Sequence, residues 1–246
     1  MTDIVNRMDG DILRITLNRP DTGNMATDPM GHEVIALLGA AHTRARVVVL
    51  DGAGPDFCMG RAGMGKRPVT QQEALERRRT SEVIFDTYGA IRHCKVPVIA
   101  AVRGRAEGFG CAVASVADIT IAAHDAKFRI PEMEHNIMPT MVMSALVDRA
   151  TLKGLTYLTY STASVSAERA MMFGLVSEIV PSAELDTFVT KLCERIVAYP
   201  APASEGTKEY LRRAMHMTTP DAVDFARNIH AVINSSSEMR LGRKFY

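Results

Sequence analysis

Cysteine is scarce in this 246-residue chain, and Cys58, Cys94, Cys111 and Cys193 stand far apart with no CxxC pair. That excludes the dense disulfide framework of small secreted domains and predicts a reducing compartment. Neither sign of charge is in surplus, with 29 Lys and Arg against 28 Asp and Glu, so no global field favours nucleic acid or an anionic membrane as partner. No apolar run reaches spanning length, and the polar start MTDIVNRMDGD lacks the apolar segment of a signal peptide; the expectation is a soluble, cytoplasmic protein. Low-complexity tracts and fixed-period repeats are also missing. No HxxxH or HExxH pattern surrounds His93, His124 or His135, so no metal is predicted and each histidine reads as a surface or hydrogen-bonded residue. A GxSxG elbow is lacking too, which argues against a serine hydrolase.

What remains is a core-forming chain, 47% hydrophobic, long enough for one main globular unit. In DILRITLNRP, Leu13, Ile15 and Leu17 alternate with Arg14 and Thr16 as in a half-buried strand. Asp28 before Pro29 predicts a helix start there, with Ile35, Leu37 and Leu38 on its apolar face. The runs RVVVLDGAG, Val96 to Val102 and Ile119 to Ala123 are continuously apolar, the habit of strands buried on both faces in a parallel sheet. Between the first two, a glycine-rich loop leads into a charged helix in which Arg77, Arg78 and Arg79 read as a solvated face, with phosphate binding as the alternative. From Met141 the chain turns helical: SVSAERAMMFGL, capped by Ser164 or Ser166 and stopped by Gly174, then helices at about 183–198, from near Ser204, and over 221–240. Such a helical end suits an assembly role.

The segment VPVIAAVRGRAEGFGCAVASVADITIAA joins a buried strand to a glycine-punctuated turn at 104, 108 and 110 and then to a small-residue helix. That arrangement aims backbone N–H groups at an anion and makes acyl chemistry the leading idea, with the turn itself as the catalyst. The GxxxGxG spacing fails the dinucleotide fingerprint, because Asp118 lies too close to serve as its acidic residue.

Over essentially its whole length the chain resembles the crotonase superfamily, also called the enoyl-CoA hydratase/isomerase family. The likeness rests on the order and spacing of ITLNRP at 15–20, VVVLDGAGPDFCMGR at 47–61, KVPVIAAVRGRAEGFGCAVASVADITIAA at 95–123, FRIPEMEHNIMP at 128–139 and MMFGLVSEIVP at 171–181. It implies an α/β fold, a crotonase-like ββα superhelix with a C-terminal helical trimerisation subdomain, divided as an acyl-CoA-binding core over 1–190 and a helical assembly region over 191–246. It further implies a homotrimer, often paired into a hexamer, with Arg240, Arg243 and Lys244 suited to the trimer contact. Carried over by position, the N–H groups of Arg61, just after Gly60, and of Phe109, between Gly108 and Gly110, would hold the thioester oxygen of an acyl-CoA and stabilise an enolate. CoA would be the substrate's carrier, with no redox cofactor.

The side chains depart from the family's pattern. Hydratases of this type carry two glutamates; the first position here is Ala112, while Glu132 in IPEME matches the second. One carboxylate beside an enolate can take a proton from one carbon and return it at another, so double-bond isomerisation is the preferred reaction and hydration of a 2-enoyl-CoA the alternative. Glu107 and Glu134 are the acids open to replace the missing partner; a solvated turn residue and an exposed or helix-capping acid are their other readings. Phe109 stands where glycine is usual and narrows the acyl pocket, Ala62 replaces a common acid, and MVMSA replaces a glycine-rich string. Met138, Met141 and Met143 would form a flexible apolar wall, or plain core. Arg19, Lys66 and Arg67 are candidates for the CoA phosphates or adenine. Hydrolase or dehalogenase chemistry, and binding or scaffolding without catalysis, stay open as further readings.

Overall fold

The computed structural model describes residues 2–63, 73–79 and 81–241. Its centre is a six-stranded sheet in the order β1-β2-β3-β4-β6-β9. The strands are β1 Ile4–Asp9, β2 Ile12–Leu17, β3 Val47–Gly52, β4 Val98–Val102, β6 Ile119–Ala123 and β9 Glu178–Val180. The first two form an antiparallel hairpin and each later neighbour joins in parallel. Parallel strands need crossover connections that cover both faces of a sheet, and β3 and β4 carry no fully exposed position. The half-buried reading of β2 is corrected on the same ground. Arg14 is buried, donating to Asp9 at 3.0 Å and to Thr190 at 2.8 Å, because helix α8, Leu185–Ala198, lies over that face.

A small second sheet, β5-β7-β8, comprises Arg105–Glu107, Lys127–Arg129 and Val165–Ser166. It branches from the main sheet where β4 and β6 end. Helices α1 Asp28–Ala40, α3 Glu82–His93 and α4 Phe109–Val116 pack together, and α5 Thr140–Leu146 joins α4. The first-turn proline of α1 is where expected, but its cap is Thr27, whose side chain accepts from Met30 N–H; Asp28 is the first helical residue. Helix α2, Ala74–Arg79, carries the arginine run and precedes α3.

Of the later helices, α6 spans Leu152–Ser161 and α7 Ala167–Met172, the latter capped by Ser166 and ending just before Gly174. Helix α9 covers Ala201–Ala214, starting earlier than the two prolines suggest, because Pro202 falls within the first turn, where a missing N–H costs nothing. The last predicted helix is two: α10 Thr219–Ser235 and α11 Ser237–Leu241, separated at Ser236. One buried lysine ties α9 to the sheet. Lys208 Nζ donates to Ile91 O at 3.2 Å and Val96 O at 3.0 Å, and pairs with Asp118 at 2.7 Å.

Candidate active site

Residues 57–62 thread between two backbone neighbours. On one side Phe57 N–H bonds Arg103 O, Cys58 N–H bonds Arg105 O, and Glu107 N–H bonds Cys58 O at 2.9 Å. On the other, Met59 N–H bonds Gly23 O, Ala26 N–H bonds Gly60 O at 2.9 Å, and Ala62 N–H bonds Ala26 O at 2.8 Å. The Gly60 carbonyl is therefore committed to Ala26, and a planar trans peptide sends the Arg61 N–H the opposite way. Asp56 anchors the approach: its carboxylate takes Arg105 Nε at 2.9 Å and Nη2 at 2.7 Å, and the arginine's hydrogen bonds hold its pKa below the usual carboxylate range.

The second backbone group comes from the turn after β5. Gly108 C=O accepts from Ala112 N–H at 3.0 Å, the first rung of α4. The same planarity points the Phe109 N–H out of the helix's N-terminal end, where first-turn N–H groups have no intrahelical acceptor. The turn and the 57–62 segment are in direct contact, since a Cβ on Gly110 would lie 2.1 Å from Cys58 O. Only glycine allows that approach. Neither Arg61 N–H nor Phe109 N–H has a backbone acceptor among the described residues.

Glu132 opens a 3₁₀ turn, Glu132–His135, and is 3% exposed. Its carboxylate is lodged against the glycine turn: a Cβ on Gly108 would stand 2.6 Å from Oε1. Both carboxylate oxygens lack a hydrogen-bond partner among the described residues. Burial raises the pKa of this group above its ordinary 4.5, and the charge of Glu107 acts in the same direction. A carboxyl so placed, with its charged form disfavoured by burial, is suited to take up and return a proton.

The other acids fall elsewhere. Glu134 is on the surface, accepting from Arg129 at 2.5 Å and Thr162 at 2.7 Å, which lower its pKa. Glu107 ends β5, half-buried, near enough for its charge to reach Glu132. Ala112 is fully buried within α4. The Arg61 side chain pairs with Asp28, and Arg19 donates to Met25 O at 2.8 Å. Lys66, Arg67, Arg243 and Lys244 lie outside the described residues. The thiols of Cys58 and Cys111 are each pushed up to about 12 by burial, which makes them poor nucleophiles.

Two features escaped the sequence reading. Asn24, fully buried, donates to Ala53 O at 2.8 Å and Asp56 O at 2.7 Å and accepts from Arg19 N–H, clamping the 18–24 loop onto the 53–57 loop. Tyr88, on α3, packs at a tilt against Phe109, with ring centroids 5.6 Å apart and planes 30° from parallel. Nothing marks it in the sequence, where it shares an apolar helix face with Ile84 and Ile91.

Beyond Glu132 lies a cavity of about 570 Å³ lined by Met133, Ile137, Met138, Met143, Leu155 and Tyr160 among others. Met138 and Met143 thus line open space, whereas Met141 packs against the core. Beside Phe109 and Arg61 the space is far smaller, about 10 Å³.

A buried carboxylate lodged against a glycine turn, on a largely parallel sheet that feeds that turn and a small helix, is the arrangement of a crotonase-type α/β enzyme. Comparison with solved structures supports the class. An enoyl-CoA hydratase of Mycobacterium smegmatis superposes with a TM-score of 0.89 at 24% identity, over 96% of this chain and 93% of that one. A Thermobifida fusca YX protein crystallised in complex with CoA gives 0.84 at 26% identity, over 95% and 93%. The family model for Enoyl-CoA hydratase/isomerase matches residues 7–246, and the chain belongs to that family. Among its relatives, the Probable enoyl-CoA hydratase EchA12 of Mycobacterium tuberculosis is 35% identical, over 82% of this chain and 73% of its own. The Short-chain-enoyl-CoA hydratase of Clostridium acetobutylicum is 27% identical, over 92% and 87%. Among the described residues no helix is long and apolar enough to cross a membrane.

Proposed function

We propose that the protein shifts a carbon–carbon double bond in an enoyl-CoA, with the N–H groups of Arg61 and Phe109 receiving the thioester oxygen and Glu132 carrying the proton. The observation behind this reading is the carboxylate of Glu132 against Gly108, one residue before a helix N-terminus; neither that carboxylate nor the first N–H of the helix has a hydrogen-bond partner among the described residues. Glu132 removes a proton from the carbon between thioester and double bond; the electron pair passes to the thioester oxygen, and the protonated acid returns the proton at the far end of the vinyl unit. Each donor N–H contributes about 3–4 kcal/mol to such a transition state. Nothing is oxidised or reduced, and CoA acts as handle. The CoA-bound Thermobifida relative supports a CoA thioester as substrate. Lys66 and Arg67, with Arg19 and Gly60, are assigned to the CoA end, and the helical region from 191 onward to assembly as a trimer or hexamer in the cytoplasm.

Water addition to a 2-enoyl-CoA is the second reading, favoured by the hydratase names of the relatives. Proton NMR in D₂O with matched 2-enoyl and 3-enoyl thioesters distinguishes the two, since migration moves vinyl protons and hydration yields a 3-hydroxyacyl product. Glu132→Gln is expected to abolish turnover and spare CoA binding. Rates near those of the wild type in that variant refute the assignment.

A further inference from the structure

A site with one carboxylate can move a proton between carbons, but it has no second group to hold the oxygen of water. The fold brings one within reach from α3. Tyr88 is 3% exposed and its hydroxyl has no hydrogen-bond partner among the described residues, a condition shared by both oxygens of Glu132. Its ring lies against Phe109, whose N–H has no backbone acceptor among the described residues. The Glu132 carboxylate is near enough for its charge to reach the hydroxyl, as is the Arg61 guanidinium. Burial and the Glu132 charge together push its pKa well up, which keeps the phenol neutral and a donor.

We infer that the Tyr88 hydroxyl, with the Glu132 carboxylate, holds the oxygen of a water or of a β-hydroxyl group, and that Tyr88 adds reversible hydration to the activity of this site. The inference rests on the enolate reading proposed above. In the forward step the water oxygen bonds to Cβ of a 2-enoyl thioester, the π pair moves through Cα to the thioester oxygen, and Glu132 takes one water proton. The enolate then collapses, Cα takes that proton from Glu132, and the carboxylate is restored. Tyr88 keeps its proton throughout, donating a hydrogen bond to the oxygen that attacks or, in reverse, departs. Glu107 is the competing candidate for this duty, being half-buried with a charge that reaches Glu132.

Tyr88→Phe tests the inference, because it keeps the ring and its contact with Phe109 and removes one oxygen. Wild type and variant are followed by proton NMR in D₂O on a 3-hydroxyacyl-CoA, for dehydration, and on a 3-enoyl-CoA of the same chain length, for migration. The expected result is a 10- to 100-fold loss of kcat for dehydration, the order set by one hydrogen bond to developing charge. KM should stay within about twofold and migration within about threefold of wild type. The melting temperature should not fall, since a buried hydroxyl without a partner is being removed. Equal losses in both reactions, or a lowered melting temperature, would show a structural tyrosine and overturn the inference. So would unchanged dehydration in Tyr88→Phe with loss in Glu107→Gln, and so would wild-type protein that migrates the double bond without hydrating it. Wild-type protein inactive in both reactions refutes the enolate reading, and this inference with it.

Discussion

Placing a methyl group at Gly108 strains the backbone and pushes the carboxylate in one stroke. The residue has φ +52° and ψ −116°, a conformation L side chains rarely adopt, and holding one there costs about 1–3 kcal/mol. For a chain of this size each kcal/mol lowers the melting temperature by roughly 2–4 °C, so Gly108→Ala should melt about 2–12 °C early. The new Cβ would stand 2.6 Å from Glu132 Oε1, where ordinary contact begins at 3.4 Å, so the carboxylate must retreat by roughly 0.8 Å. A misplacement near 1 Å at a reacting group costs about 10²-fold in rate. The expected kcat is therefore lower by about two orders of magnitude, with KM little changed, in the NMR assay of enoyl-CoA turnover. Gly10→Ala is the control, for Gly10 also has positive φ (+59°) but nothing within 4 Å of its Cβ position, and it turns the β1–β2 hairpin. It should lose stability and keep activity. Wild-type kcat in Gly108→Ala would refute the placement of Glu132 as the proton carrier.

Removal of the Glu132 charge should also register in stability. The folded-state pKa is raised above the ordinary 4.5, so between those values the native state binds more protons than the unfolded chain, and stability falls as pH rises through that window. Glu132→Gln escapes the loss; its melting temperature relative to wild type should climb from pH 4 to pH 8, and a pH-independent difference would contradict the burial argument. Arg61→Ala should keep turnover within about tenfold, because the proposed donor there is the main-chain N–H and the side chain pairs with Asp28; loss comparable to that of Glu132→Gln would assign the guanidinium a chemical role. Lys208→Met should cost about 3 kcal/mol or more in urea unfolding, since it leaves the Asp118 carboxylate with one partner, Val98 N–H at 2.7 Å; a change under about 1 kcal/mol would mean the pair is dispensable.

The parallel strands were legible because burial on both faces leaves continuous apolar runs, and VVVLDG and VPVIAAV have no other good use. The turn at 104–110 was legible through glycines, one of which, Gly110, touches backbone at a distance no side chain allows. Strand β1 was not: five of its six residues are exposed and only Ile4 reaches the core, so it joins the sheet mainly by its backbone ladder and shows no alternation. The three-residue strands β5 and β7 are too short for any periodicity to emerge. Within the site, the pairing of Glu132 with Gly108 could be read only through the family motif, because 24 positions of chain separate two atoms that nearly touch. Tyr88 was hidden for a different reason. At helical spacing from Ile84 and Ile91 it is indistinguishable from core, and only the unanswered hydroxyl sets it apart.

The buried Lys208 sits in a pair of helices that otherwise bury little. Helix α10 buries none of its residues fully, and α9 buries only Gly206 and Lys208. Opening this hairpin therefore exposes little apolar surface, and its amides should exchange with solvent through local unfolding while those of β3 and β4 wait for the whole sheet to come apart. The partners of Lys208 belong to the end of α3, the segment entering β4, and Asp118 just before β6, so these are the contacts given up when α9 opens.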